Sequence, residues 1–248
     1  MTPLIIFCVL IGLCLKLPLF FSINCIHYSC MIKVVYEGKD LEKIKREVLK
    51  AFDFSYKIFL VKTPDIIVRV HANRVEFDKQ LGMKTADWLV ANASDNSEID
   101  ILSPLAMQKE SSHSKNEFFS ILKHEFTHLM VDNLAGGKAV PKWLNEGLAA
   151  YVAKQHQNRK EPVYIEENFC EKLSTPKGWE GNINYSAYPT AALFVSFLIK
   201  KYSFKKIEKL IIALDKNYSY PSFKKIFFKT YNQNLDEAEK LFIIEVNK

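Results

Sequence analysis

A chain of 248 residues that is 48% hydrophobic can bury a sizeable core, which excludes general disorder and fits one domain, or one domain with a small annex. Its formal charge of +6 arises from 34 basic and 28 acidic residues that are interspersed; without a long basic block or an aromatic-studded RNA motif, nucleic-acid binding is not expected. Of the five cysteines, Cys8, Cys14, Cys25 and Cys30 fall in the first thirty residues and only Cys170 in the rest, which excludes a disulfide framework for the main domain.

From Met1 to Ile32 the only charged side chain is Lys16, and Leu4 to Leu15 is apolar apart from Gly12. A run of that length suits a signal-peptide core, or a marginal membrane anchor if it extends to Ile23. A third reading starts translation at Met31, where the sequence opens like the first strand of a soluble domain. Residues 1–30 are therefore set apart as an apolar leader (anchor, signal or non-native extension), and residues 31–248 as the working domain. If residues 1–30 are native the protein is expected at a membrane, and if translation starts at Met31, in the cytoplasm.

Residues 32–36 are rich in β-formers, and Leu41, Ile44, Val48, Leu49 and Phe52 then recur at helical spacing. Ile66, Val68 and Val70 alternate with Ile67, Arg69 and His71 as in a strand. Trp88 to Ala91 and Ile99 to Leu102 predict two more strands, the second ended by Ser103-Pro104 and forming the sheet edge. Helices follow. Ser114 and Glu117 have the form of a capping box, and Phe118, Ile121, Leu122, Phe126 and Leu129 make an apolar stripe, predicting a helix over 115–134 that ends before Gly136-Gly137. Pro141 suits the start of a second helix, running to about Gln155. A loop over 157–183 precedes helices at Tyr188 to Tyr202, Phe204 to Leu214, Ser222 to Thr230 and Leu235 to Val246. The expected class is α+β, with an N-terminal mixed sheet carrying helices and a mainly helical C-terminal half.

His124-Glu125-Phe126-Thr127-His128 lies inside the first of these helices. Imidazoles four residues apart project from one face, and both can reach one metal ion. Catalytic zinc takes three protein ligands and keeps one position for water, so a third ligand must come from a neighbouring element. Glu146, eighteen positions after His128 on a helix that returns after the glycine turn, can face the imidazoles. Glu125 points about 100° away from His124 around the helix and is better placed to act on the metal-bound water, whose pKa zinc lowers to about 7.

The segment Trp143-Leu144-Asn145-Glu146-Gly147-Leu148-Ala149 resembles the third-ligand segment of gluzincin metallopeptidases, especially the aminopeptidase-N-like group. Tyr188-Pro189-Thr190-Ala191-Ala192 is similar to the segment in which those enzymes carry an oxyanion-stabilising Tyr. The likeness covers about residues 85–245 and is strongest to the compact peptidase MA-like gluzincins, with Leu235 to Glu239 matching their C-terminal stretch. It implies a zincin-like fold and a zinc peptidase with His124, His128 and Glu146 as metal ligands, Glu125 as catalytic base and Tyr188, with Tyr185 as the lesser candidate, at the oxyanion. The expected partner is a peptide or protein substrate. Two departures stand out. The Gly-x-Met-Glu-Asn sequence that grips a substrate N-terminus is absent before His124, which argues against aminopeptidase activity. Ala150 stands where thermolysin-like enzymes carry an Asp that orients a ligand His, so the support of that His must come from elsewhere.

The rival reading keeps the fold but makes it a non-catalytic binding or scaffold module, held to a membrane through residues 1–30. Trp143 and Asn145 read as packing or ligand-supporting residues. His71, His113 and His156 stand alone and read as surface or core filler, and Cys170 as an ordinary thiol with nothing basic close by.

Overall fold

Alternation of Ile32 with Val34, of Ile66 with Val68 and Val70, and of Ile99 with Ile101 puts these buried side chains on one face of a sheet. The computed structural model describes residues 21–24, 30–94, 97–155, 167–183 and 186–246. Its five-stranded mixed sheet runs β1-β2-β3-β5-β4. Strands β2 (Met31–Val35), β3 (Ile66–His71) and β5 (Glu98–Leu102) pair in parallel, with Val34 beside Val68 and Val68 beside Ile99. At the two edges, β1 (Phe21–Asn24) and β4 (Ala91–Ser94) pair antiparallel to β2 and β5. β1 falls within residues 1–30. Among the described residues no helix is long and apolar enough to cross a membrane.

The edge strand differs from the sequence expectation. Ile99 to Leu102 is interior, and the edge is β4, displaced from Trp88–Ala91 to Ala91–Ser94. Two causes are visible. Ile99, Ile101 and Leu102 are fully buried, whereas Asn92 to Ser94 are half-exposed small residues that tolerate an unpaired edge. The Arg74 guanidinium donates to the carbonyls of Ala86 (3.2 Å), Asp87 (3.0 Å) and Leu89 (2.5 Å) and to Thr85 Oγ1 (2.8 Å), which holds residues 85–89 as a loop.

Helix α1 (Leu41–Phe59) follows β2, and α2 (Arg74–Leu81) follows β3. No apolar stripe announces α2 in the sequence because it buries only Phe77; it rests on its Asn73 cap, which accepts from Glu76 N–H at 2.9 Å. A short α3 (Pro104–Glu110) leads to the Ser114/Glu117 capping box, formed as expected but on a 3₁₀ turn, and then to α4 (Phe118–Ala135), which ends at Gly136 with φ 61°. α4 packs on α1 through the edge-to-face rings of Phe52 and Phe126 at 5.5 Å and runs alongside β4.

The returning helix is α5 (Lys142–Ala153). Within the span read as loop, α6 (Phe169–Lys172) and α7 (Pro176–Glu180) form short turns. The remaining helices are α8 (Ala187–Tyr202), α9 (Phe204–Ala213), α10 (Tyr220–Tyr231) and α11 (Leu235–Val246), completing an α+β architecture with a mainly helical C-terminal half. Phe194 of α8 joins Trp143 of α5 (5.3 Å), Phe169 of α6 (5.0 Å) and Phe242 of α11 (5.2 Å) in one aromatic cluster. Free backbone N–H groups at the start of α5 are met by the two residues that follow α6, Lys142 donating to Ser174 O (2.9 Å) and Trp143 to Leu173 O (3.0 Å).

α5 and α8 approach closely at Gly147. A Cβ there would lie 2.6 Å from the Ala191 carbonyl oxygen and 2.7 Å from Val195 Cγ2, so Ala cannot enter without moving a helix backbone. Gly147→Ala is expected to cost about 1–3 kcal/mol of stability by overpacking, read from denaturant midpoints. An unchanged midpoint would show that α8 yields freely.

Candidate metal centre

Helical repetition places His124 and His128 on the face of α4 that looks at α5, where Glu146 meets them. His124 Nε2 lies 3.2 Å and His128 Nε2 3.7 Å from the same oxygen, Glu146 Oε2. All three ligand atoms fall within 4.8 Å of one another, and among the described residues no other His, Cys, Asp or Glu group is so placed. Tetrahedral coordination with bonds of about 2.0–2.1 Å separates ligand atoms by roughly 3.3 Å, so both contacts to Glu146 match a shared ion. The donor set, two imidazole nitrogens and a carboxylate oxygen, is that of a zinc site with one position left over. His124 is 8% and Glu146 4% exposed, so the cluster is withdrawn from water. The residues fit the metal.

Each ligand is held from behind by a side chain of the α5 segment. His128 Nδ1 lies 2.8 Å from Asn145 Oδ1, and His124 Nδ1 lies 2.9 Å from Gln155 Oε1. The other Glu146 oxygen, Oε1, accepts from Lys142 Nζ at 2.6 Å. Burial alone would raise the Glu146 carboxyl, but the His128 and His124 imidazoles and the Lys142 ammonium hold it well below the usual carboxylate range. The support role read for Asn145 is met by this contact. Gln155 and Lys142 were not read from the sequence. Lys142 was within reach of the i,i+4 rule on the Glu146 helix; Gln155 depends on the chain path beyond the helix end.

Glu125 is buried, 7% exposed, on the side of α4 toward β4. Burial pushes its carboxyl up to about 7; the Glu146 charge adds to this, while His128, the Ala93 backbone N–H and Lys142 oppose it. Tyr188 stands at the start of α8, edge-on to Trp179 of α7 with ring centroids 4.8 Å apart. Burial raises its hydroxyl pKa, and the charges of Glu146 and Glu125 do likewise, against a hydrogen bond from the Trp179 side chain. Tyr188 thus feels both site carboxylates. Tyr185 and His156 lie outside the described residues.

The other two histidines among the described residues, His71 and His113, pair elsewhere. His71 Nε2 lies 2.8 Å from Asp100, its ring edge-to-face with Phe77 of α2, and His113 Nε2 lies 3.0 Å from the Trp88 carbonyl oxygen. Cys170 is a buried free thiol whose pKa burial pushes up, beside Glu239.

No protein-family description and no characterised protein sequence matches the chain. Among solved structures it is similar to the M1 zinc metallopeptidase from Deinococcus radiodurans, with 12% identity and a TM-score of 0.47, over 91% of this chain and 50% of that one. The chain thus spans about half the length of that protein, and at this level the likeness adds no weight to the site, which stands on its own geometry.

Proposed function

We propose that this protein is a zinc-dependent peptidase of the gluzincin type, acting on peptide or protein substrates. The observation that carries this reading is the convergence of His124 Nε2, His128 Nε2 and Glu146 Oε2, beside a second buried acid, Glu125, that takes no part in the cluster. Bound zinc would supply a Lewis acid that polarises a carbonyl and makes water nucleophilic near neutral pH. The Glu125 carboxylate takes a proton from the attacking water and, once protonated, gives it to the leaving amine. Asn145 orients the His128 imidazole, and Lys142 keeps Glu146 Oε1 occupied so that Oε2 faces inward. The substrate backbone adds alongside the free edge of β4, whose Ala93 N–H already reaches Glu125. The test is metal analysis of the full chain together with digestion of a peptide library. About one zinc per chain and discrete cleavage products support the reading. A chain that binds no zinc removes it, and one that binds zinc without cleaving any peptide leaves the scaffold module.

Tyr188 is assigned the second oxyanion contact. Tyr188→Phe keeps the ring against Trp179 and deletes the hydroxyl, so zinc content and stability should hold. kcat should fall on the order of a hundred- to a thousandfold, as for other single oxyanion donors, with little change in KM. An unchanged kcat would take Tyr188 out of the chemistry.

A further inference from the structure

The side chain at position 150, where an orienting acid would be looked for, is the methyl of Ala150. The turn that ends α5 supplies another partner. Ala153 O accepts from Ser120 Oγ at 2.8 Å and from Lys123 Nζ at 3.4 Å, so the last carbonyl of α5 is tied to α4 one turn before His124. Lys154 then adopts a left-handed conformation, φ 59°, with its N–H returned to the helix, and Gln155 N–H closes on Ala150 O at 3.0 Å. This double closure reverses the chain over the end of the helix. It brings Gln155 Oε1 to 2.9 Å from His124 Nδ1 although the residues are 31 apart in sequence.

We propose that Gln155 is a positioning residue of the metal centre, its amide carbonyl holding His124 in the Nδ1–H form so that the Nε2 lone pair faces the ion. This rests on the zinc reading above. An imidazole between a metal and a solvent-facing turn can rotate or carry its proton on either nitrogen, and only one of those states ligates through Nε2. A carbonyl acceptor fixed at Nδ1 selects that state. Asn145 does the same for His128 at 2.8 Å, so both imidazoles are oriented by neutral amides. An amide orients a ring without drawing it toward imidazolate as a carboxylate does, and a bound ion would therefore keep more of its positive charge.

The experiment uses the full chain and zinc alone. Dissociation constants are measured by competition with a chromophoric chelator at one pH and ionic strength, and the His124 tautomer is read from ¹⁵N imidazole shifts. Gln155→Ala is expected to weaken zinc binding about 10- to 100-fold and to release His124 into a tautomer mixture. Its metal-free thermal midpoint should not move, because residue 155 lies at an exposed helix end. Gln155→Glu restores an acceptor and is expected to return zinc binding to at least the wild-type level. Wild-type zinc affinity in Gln155→Ala, or failure of Gln155→Glu to recover it, overturns the proposal while leaving the metal site standing. A wild-type chain without zinc overturns the metal reading, and this role with it.

Discussion

Glu125→Gln is expected to abolish peptide hydrolysis while leaving fold and zinc content intact. An amide cannot accept the proton of the attacking water, and positioned general acid–base groups contribute about 10²–10⁴-fold; in the proposed mechanism Glu125 serves both the attack and the departure of the amine, so the loss should reach the upper end. The substitution is close to isosteric, and its carbonyl oxygen can still meet the Ala93 N–H. kcat/KM on a cleaved peptide, with zinc measured on the same sample, decides the matter: wild-type turnover would remove the mechanism. A second arm needs no substrate. Burial raises the Glu125 carboxyl in the folded protein to about 7, above its unfolded value near 4.5. Stability from this group is therefore fully present below about pH 4.5 and lost as pH rises through about 7. A displacement of that size corresponds to on the order of 3 kcal/mol. Metal-free Glu125→Gln should accordingly be more stable than metal-free wild type at pH 8 and equal to it at pH 4, by urea denaturation. Parallel pH profiles would show that the buried carboxyl is not the cause.

Glu146→Ala is expected to lose stoichiometric zinc. His124 and His128 can still face one ion, but the contacts of 3.2 and 3.7 Å that fix the third corner both end on Glu146 Oε2, and removing it leaves two neutral ligands in a buried place. The loss of affinity should exceed the roughly 10- to 100-fold that follows removal of an outer partner, enough for zinc to be stripped by desalting. Stability of the metal-free protein should change less. Lys142, the residue left without its partner, is on the half-exposed face of α5 and can turn to water. Metal analysis after desalting checks this. Full retention of zinc would move the third ligand to another residue.

The Arg69 side chain shows why residue type alone is a poor guide to function here. It sits between Glu98 (2.7 Å) and Asp100 (3.7 Å), with His71 beyond, an array of charge as dense as the metal centre. Yet His71 stands against Phe77 of α2, and among the described residues no third ligand atom meets the His71–Asp100 pair. Spacing on one helix, and a second helix returning at the right phase, separated the two clusters in advance.

What the sequence by itself determined are the features with a short period or a local rule: the helix bearing His124, Glu125 and His128, its glycine end, the capping box at Ser114, the returning helix with Glu146, and the strand at Ile66–His71 with its alternating Ile and Val. Each follows from contacts within about four residues or from a face that must be buried. The tertiary structure decided the rest. The edge strand formed at Ala91–Ser94 and not at Trp88–Ala91 because Arg74 captured the carbonyls of Ala86, Asp87 and Leu89, a set of bonds that no periodicity encodes. α2, with Phe77 as its only buried side chain, had no stripe to read. Gln155 reached His124 only because a left-handed residue at Lys154 turned the chain and two α4 side chains held the turn in place. Such partners come together from distant parts of the chain, and their meeting is set by where whole helices pack, which is a property of the folded molecule.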